Sequence, residues 1–329
     1  MDPAQFFTAS RLVIVAGKGG VGKTTVTATM ARAAARHGLS SLILEVEGKS
    51  GLASMFDCPT FAYDAVTLAE ADEAAGVAAI SARTVTPDDA LVEFLEGSGM
   101  GRISRRLMSS GALEMVSTAV PGIRDLLVLG KIKQMERAGL ADLLILDAPA
   151  AGHAITFLQS ASGLADAVPL GPIYAQARDV LDLLGDPERC QVVLVTLPEE
   201  TPVNELVETA FQLEDRVGVS LGPVVVNGCY PQLPGLDQRP PESAKVAGTA
   251  LRRGESGALT AAAVFRRERM ELQAEQVDRL GAALPLPQIH LPYLFDAELG
   301  PLQLDLLAAA LLDGVAALDP AAVASSGAS

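Results

Sequence analysis

The chain has 329 residues, 49% of them hydrophobic, and a formal net charge of −15 at pH 7. The length suffices to bury a large core as one α/β domain, and the acidic balance argues against a general affinity for nucleic acid or anionic lipid. Three cysteines, Cys58, Cys190 and Cys229, without a C-x-x-C spacing, argue against a disulfide framework, structural zinc or an iron–sulfur cluster.

The first element in chain order is Arg11 to Ala16, a β-branched and aliphatic run that ends in glycines, and Thr24 to Arg36 follows with an alanine-rich helical pattern. This reads as strand, loop, helix. Inside it, Gly17, Gly22, Lys23 and Thr24 satisfy G-x-x-x-x-G-K-[ST], with Gly19 and Gly20 making the loop barer still. Glycines let backbone N–H groups, including that of Val21, converge on phosphate oxygens, and the helix that follows adds the positive end of its dipole. Lys23 is placed to meet the β- and γ-phosphates of ATP, and the Thr24 hydroxyl to ligate Mg²⁺. A second lysine, Lys18, is not required by that pattern.

Further strands are expected at Ser41 to Val46, Ala78 to Ala82, Ala141 to Leu146, Gln191 to Thr196, Gly222 to Asn227 and Gln288 to Leu291. Most are continuous apolar runs, as in strands covered on both faces. Helical patterns separate several of them, notably Glu200 to Arg216 and Leu259 to Leu280, and the alternation predicts a doubly wound, mostly parallel α/β sheet. Thr86 to Ala138 carries no strand, opens with the helix start "TPDDA", and is expected to form an inserted helical subdomain. Tyr230 to Ser243 is proline-rich and predicts a surface loop or lid. Residues 1–318 are thus expected as one domain, with a disordered tail from Asp319. No signal-like segment and no run of about twenty uncharged apolar residues is present, so a cytoplasmic protein is expected, any membrane role running through a partner.

The stretch "LLILDAPAAGH" places Asp147 after four aliphatic residues, at the carboxyl edge of the sheet, where it is expected to hold Mg²⁺ through a water. Ala148 to His153, with a proline and a glycine, is a candidate switch sensing the γ-phosphate.

Together, "GKGGVGKTT", "LDAPAAGH", "VTLPEE", "VVVNG" and "PGIRDLL" resemble the ArsA/Get group of anion-transporting and tail-anchored-protein-targeting ATPases. These motifs lie between Gly17 and Asn227, apart from the closing glycine of "VVVNG", and a looser likeness in "LPYLFDAELGPLQL" extends to Leu304. The loop alone indicates only the wider class with a deviant P-loop, which includes the MinD and ParA partition ATPases and the nitrogenase iron protein. The resemblance implies that Lys18 reaches across a dimer interface to the other subunit's nucleotide. It also implies that Pro198, Glu199 and Asn227 meet the adenine and ribose, and that Thr25 touches the α-phosphate. The family's zinc-binding C-x-x-C clip is absent, and three scattered cysteines offer no thiolate cluster for arsenite.

One departure is informative. Where the family has a "DPAH"-like switch whose aspartate positions the attacking water, this chain has "EVEGKSGL", with Glu47 at the matching position and Glu45 two residues earlier. The extra methylene moves the carboxylate by about a bond length, and misplacement on that scale costs ~10²-fold in rate. Slow hydrolysis is therefore expected, or hydrolysis that needs a partner. Four of the eight methionines, Met100, Met108, Met115 and Met135, fall between Gly99 and Ala138. By resemblance they line a groove for a hydrophobic helix or protein client, and the alternative is that they fill the core of the insert. The expectation is a Mg²⁺-ATP-dependent dimer switch, either a homodimer or a heterodimer with a related ATPase. An ATP-binding scaffold subunit with weak hydrolysis, or a MinD/ParA-like positioning ATPase, stays open beside it.

Overall fold

A computed structural model describes residues 1–46, 51–60, 63–97, 122–149 and 151–319. Its centre is β1 (Leu12–Gly17), buried along its whole length and hydrogen-bonded in parallel to β5 (Leu143–Asp147) on one side and β6 (Cys190–Thr196) on the other. Outward from β5 lie β2 (Ser41–Val46), β4 (Ile80–Val85) and β3 (Val66–Ala69); outward from β6 lie β7 (Val224–Cys229) and β8 (Gln288–Pro292), in an eight-stranded sheet. Every pairing is parallel except β3 with β4. The strand β3 is half exposed and only four residues long, so no apolar run marked it in the sequence.

Alternate side chains of each central strand enter different layers, as the strand period requires. Leu12, Ile14 and Ala16 face one core with Leu144 and Leu146, whereas Val13 and Val15 face another with Ile43 and Ile145. The second layer is closed by α2 (Lys23–Ala35) and by the C-terminal helix, Pro301–Ala317, with α1 (Pro3–Thr8) and α3 (Leu52–Met55) at its rim. On the first face lie α4 (Pro87–Gly97), α5 (Ile123–Ala138), α6 (Ala151–Ala167), α7 (Pro172–Leu184) and α8 (Glu200–Val217). The helix start read in "TPDDA" is capped by Thr86, whose hydroxyl accepts the Asp89 N–H at 3.2 Å.

The stretch expected as a helical insert divides. Helix α5 buries Leu126, Leu127, Val128, Leu129, Ile132 and Met135 in the same core as β1 and β5, so its apolar residues on several faces reflect packing among the sheet and three helices. Met135, 2% exposed, fills that core and lines no groove. Met100, Met108 and Met115 lie outside the described residues. The proline-rich stretch after β7 is loop only as far as Arg239, because two prolines that suit a first helical turn open α9 (Pro240–Val246). Beyond it, α10 (Glu255–Ala283) runs for 29 residues and buries only Gln273 and Leu280.

The last helix, Pro301–Ala317, is α11. It buries Leu304, Leu307, Ala308, Leu311 and Val315 along one stripe. Asp305 fastens it to α2, accepting from Arg32 Nε at 2.7 Å and standing 2.8 Å from Arg36 Nη2. Leu311 is fully buried, so Leu311→Ala is expected to cost about 2–5 kcal/mol, read as a lower urea midpoint with unchanged slope. An unchanged midpoint would show that α11 is no part of the cooperative unit.

Candidate functional site

The glycine-rich loop lies over the carboxyl ends of β1 and β6. A Cβ on Gly17 would stand 2.4 Å from the Val195 carbonyl oxygen, so only glycine lets the chain leave β1 pressed against its neighbour. Gly20 and Gly22 have φ of +85° and +90°, the left-handed region that side chains resist. Gly22 caps α2 without a side-chain hydrogen bond, which leaves the first N–H groups of the helix for an anion. Lys18, Gly19 and Gly20 are exposed; Val21 is buried and anchors the loop.

The two lysines diverge. Lys23 Nζ folds back over the loop and donates to the Lys18 carbonyl oxygen at 3.1 Å. Burial lowers its pKa, and the Asp147 carboxylate opposes that shift. Lys18 instead runs along the surface to an ion pair with Glu205 of α8, the two side chains being 51% and 29% exposed. A pair so exposed contributes at most about 1 kcal/mol, so the lysine leaves it at little cost. Beside this pair an open cleft of about 330 Å³ is lined by Ile155, Thr156, Gln159 and Gln212.

Asp147 ends β5 next to Val15 of β1. Its Oδ2 accepts a hydrogen bond of 2.6 Å from the Thr24 hydroxyl, and its Oδ1 is sealed from solvent without a hydrogen-bond partner. Burial raises the Asp147 pKa, against the hydrogen bond from Thr24 and the charge of Lys23. On the next strand, in register with Asp147, stands Glu45. Burial, and secondly the Asp147 charge, push Glu45 up to about 7. An orphaned carboxylate oxygen beside a helix-initiating hydroxyl is an oxygen-only donor set, which suits a hard divalent cation. The residues present therefore fit magnesium, which Thr24 would ligate with Asp147 behind a water.

Asn227, near the end of β7, is brought onto the loop: its Nδ2 donates to the Val21 carbonyl oxygen at 3.0 Å. A Cβ on Gly22 would lie 2.3 Å from that nitrogen, so glycine at 22 and asparagine at 227 depend on each other. Pro198 is buried, while Glu199 is exposed at the start of α8 and stands 3.4 Å from Arg269 Nη2. Thr25 sits half-buried in the first turn of α2. Glu47 lies outside the described residues. Two features escaped the sequence reading. Glu205 is one of many helix-surface acids and became visible only through Lys18. Beyond Asn227, Tyr230, Tyr293 and Phe295 form an aromatic cluster with ring centroids 4.8–5.7 Å apart, and the Arg266 guanidinium lies 4.3 Å from the Tyr230 ring. Tyr293 and Phe295 belong to "LPYLFDAELG", where they had no assigned role.

The family model described as anion-transporting ATPase matches residues 10–170. ATPase BagA of Mycobacterium tuberculosis is 31% identical over 312 residues, covering 89% of this chain and 90% of its own. A putative arsenical pump-driving ATPase of Halobacterium salinarum is 25% identical over 236 residues, 68% of this chain and 36% of its own. ATPase GET3 of Phaeosphaeria nodorum is 26% identical over 152 residues, 45% of this chain and 44% of its own. The chain belongs to the anion-transporting ATPase family, the group that its loop, its Asp147 motif and its β6 and β7 motifs resemble. No helix among the described residues is long and apolar enough to cross a membrane.

The pH response of the metal-free protein follows from the acids at this site. Glu45 is raised from 4.5 to about 7 on folding, so between those values the folded state binds more protons than the unfolded chain, and stability falls as pH rises through the window. Urea denaturation in EDTA at about pH 5 and about pH 8 is expected to show a smaller loss of midpoint for Glu45→Gln than for the wild type. Equal losses would contradict it. Separately, Gly22→Ala is expected to cost about 1–2 kcal/mol from its backbone alone and more from collision with Asn227; wild-type stability in denaturation would refute that geometry.

Proposed function

We propose that this member of the anion-transporting ATPase family binds and hydrolyses ATP with magnesium and works as a nucleotide-driven dimer switch. One observation supports the reading most: Lys23 is folded over the glycine-rich loop onto a backbone oxygen and Thr24 is bonded to Asp147. Incoming phosphate oxygens replace the Lys18 carbonyl as the partner of Lys23, and the N–H groups from Gly19 to Thr24 surround them. Thr25 meets the α-phosphate. Magnesium, when bound, neutralises charge on the β- and γ-phosphates. By the family resemblance Pro198, Glu199 and Asn227 meet the base and ribose, and the aromatic cluster beyond Asn227 offers a further apolar wall. Asn227 has its carbonyl oxygen to offer a base while its N–H₂ holds Val21.

Lys18 is the trans residue in this reading. Its cis pair with Glu205 is the resting arrangement, and closure of two subunits trades that exposed contact for a triphosphate. The partner is a second copy or a related ATPase subunit. Glu47 orients the attacking water, and the segment carrying Met100, Met108 and Met115 meets a client.

Light-scattering mass and phosphate release, followed in the same samples with and without Mg²⁺-ATP, test this. A rise from monomer to dimer with turnover is expected in the wild type. Lys18→Ala should still bind ATP yet fail to dimerise, and Lys23→Ala should lose binding. A wild-type chain that stays monomeric with ATP bound and releases no phosphate would defeat the self-contained switch and favour a non-catalytic subunit.

A further inference from the structure

Beside Asp147 the sheet carries polar side chains that the nucleotide reading does not use. Thr84 on β4, Glu45 on β2 and Asp147 on β5 are paired in register across three adjacent strands. Strand alternation puts all three on the face covered by α2, in line with Ala82, Ile43 and Ile145, which lie in the core beneath that helix. Glu45 and Thr84 are 5% and 6% exposed, and Thr27, one turn into α2 from Thr24, is 0% exposed. Four atoms here, Glu45 Oε1, Thr84 Oγ1, Thr27 Oγ1 and Asp147 Oδ1, are sealed from solvent without hydrogen-bond partners.

Such a row is expensive unless something completes it. Each unpaired buried polar group costs about 1–3 kcal/mol, and two carboxylates side by side in a buried setting repel unless a proton or a cation stands with them. Glu45 follows Leu42, Ile43 and Leu44, all buried, so an apolar residue there would continue the strand at lower cost. The charge that acts on it is that of Asp147, of like sign. Oxygen atoms from two neighbouring carboxylates, one of them bonded to the Thr24 hydroxyl, are the kind of surroundings in which a hydrated divalent ion keeps its waters.

We propose that Glu45 is a positioning residue for the metal: its carboxylate stands beside Asp147 as a second acceptor for the waters around the magnesium ion, and Thr84 and Thr27 complete that shell. This rests on the nucleotide-site reading above. It gives the chain a doubly acidic metal side, with the consequence that nucleotide affinity depends steeply on the metal. It also separates two acids close in sequence, because Glu45 serves the metal side whatever Glu47 does toward water.

The test is binding of a fluorescent ATP analogue, titrated with Mn²⁺ or Mg²⁺ and, separately, in EDTA. Wild type, Glu45→Gln and Asp147→Asn are compared, with Mn²⁺ occupancy read by electron paramagnetic resonance. Loss of an acceptor behind a metal ligand typically weakens metal affinity by about 10–100-fold. The expected result for Glu45→Gln is a shift of that order in the metal dependence, unchanged nucleotide affinity in EDTA, and an intact thermal transition. Metal dependence equal to wild type would overturn the proposal and leave Glu45 a buried acid held by a proton. If the wild type bound no nucleotide under any condition, the nucleotide-site reading itself would fall, an outcome distinct from equality of variant and wild type. Should Glu45→Gln not fold, a crystal structure of the wild type with Mn²⁺ and a non-hydrolysable ATP analogue decides instead. A Glu45 carboxylate bonded to a metal-bound water supports the proposal, and one turned to protein groups alone overturns it.

Discussion

The hydrogen bond from the Thr24 hydroxyl to Asp147 joins the first turn of α2 to the carboxyl end of β5, and the whole phosphate side of the site hangs on it. It exists because β5 is the neighbour of β1 in the sheet although over a hundred residues separate them in the chain. Parallel pairing then brings Asp147 level with Val15, two residues before the glycine that ends β1. From the other side Asn227 of β7 holds the loop at Val21. The loop is thus gripped from strands on both flanks of β1, and its glycines are needed where those grips leave no room for a Cβ. In the proposed reading, a site so built offers its N–H groups to a nucleotide without reorganising, which is the condition for electrostatic stabilisation without an ordering cost.

The contrast between Lys23 and Lys18 follows from where each is rooted. Lys23 starts α2, is partly desolvated, and is confined between the loop and Asp147. Lys18 sits on the exposed crest and is paired with a surface acid, Glu205. The first arrangement is expensive to change and suits the fixed role proposed for Lys23; the second is cheap to change, as the proposed exchange of partners by Lys18 requires.

Much of this was legible in the residues because it rests on short-range rules. Apolar runs located all seven strands of the parallel part of the sheet to within about three residues, and the glycine spacing located the loop between β1 and α2. What escaped was set by tertiary pairing. The antiparallel edge strand β3 has two exposed residues at its start and owes its extended form to β4. Helix α5 was expected in an inserted helical subdomain because Thr86 to Ala138 carries no strand, yet its apolar residues pack in the same core as β1 and β5. In the sequence Glu45 stood as an alternative to Glu47 for orienting the water, and only strand register revealed that it stands level with both Asp147 and Thr84. The partners of Lys18 and Asn227 lie 187 and 206 residues away in sequence, beyond any local pattern.

The most direct test of this account is a crystal structure with magnesium and a non-hydrolysable ATP analogue. The account predicts that Lys23 exchanges the Lys18 carbonyl for phosphate oxygens, that Asp147 keeps its place beside Thr24, and that Lys18 leaves Glu205 for the nucleotide of a second subunit. Analogue bound with Lys18 still paired to Glu205 and no facing subunit would contradict the switch, and analogue bound away from the loop would contradict the site.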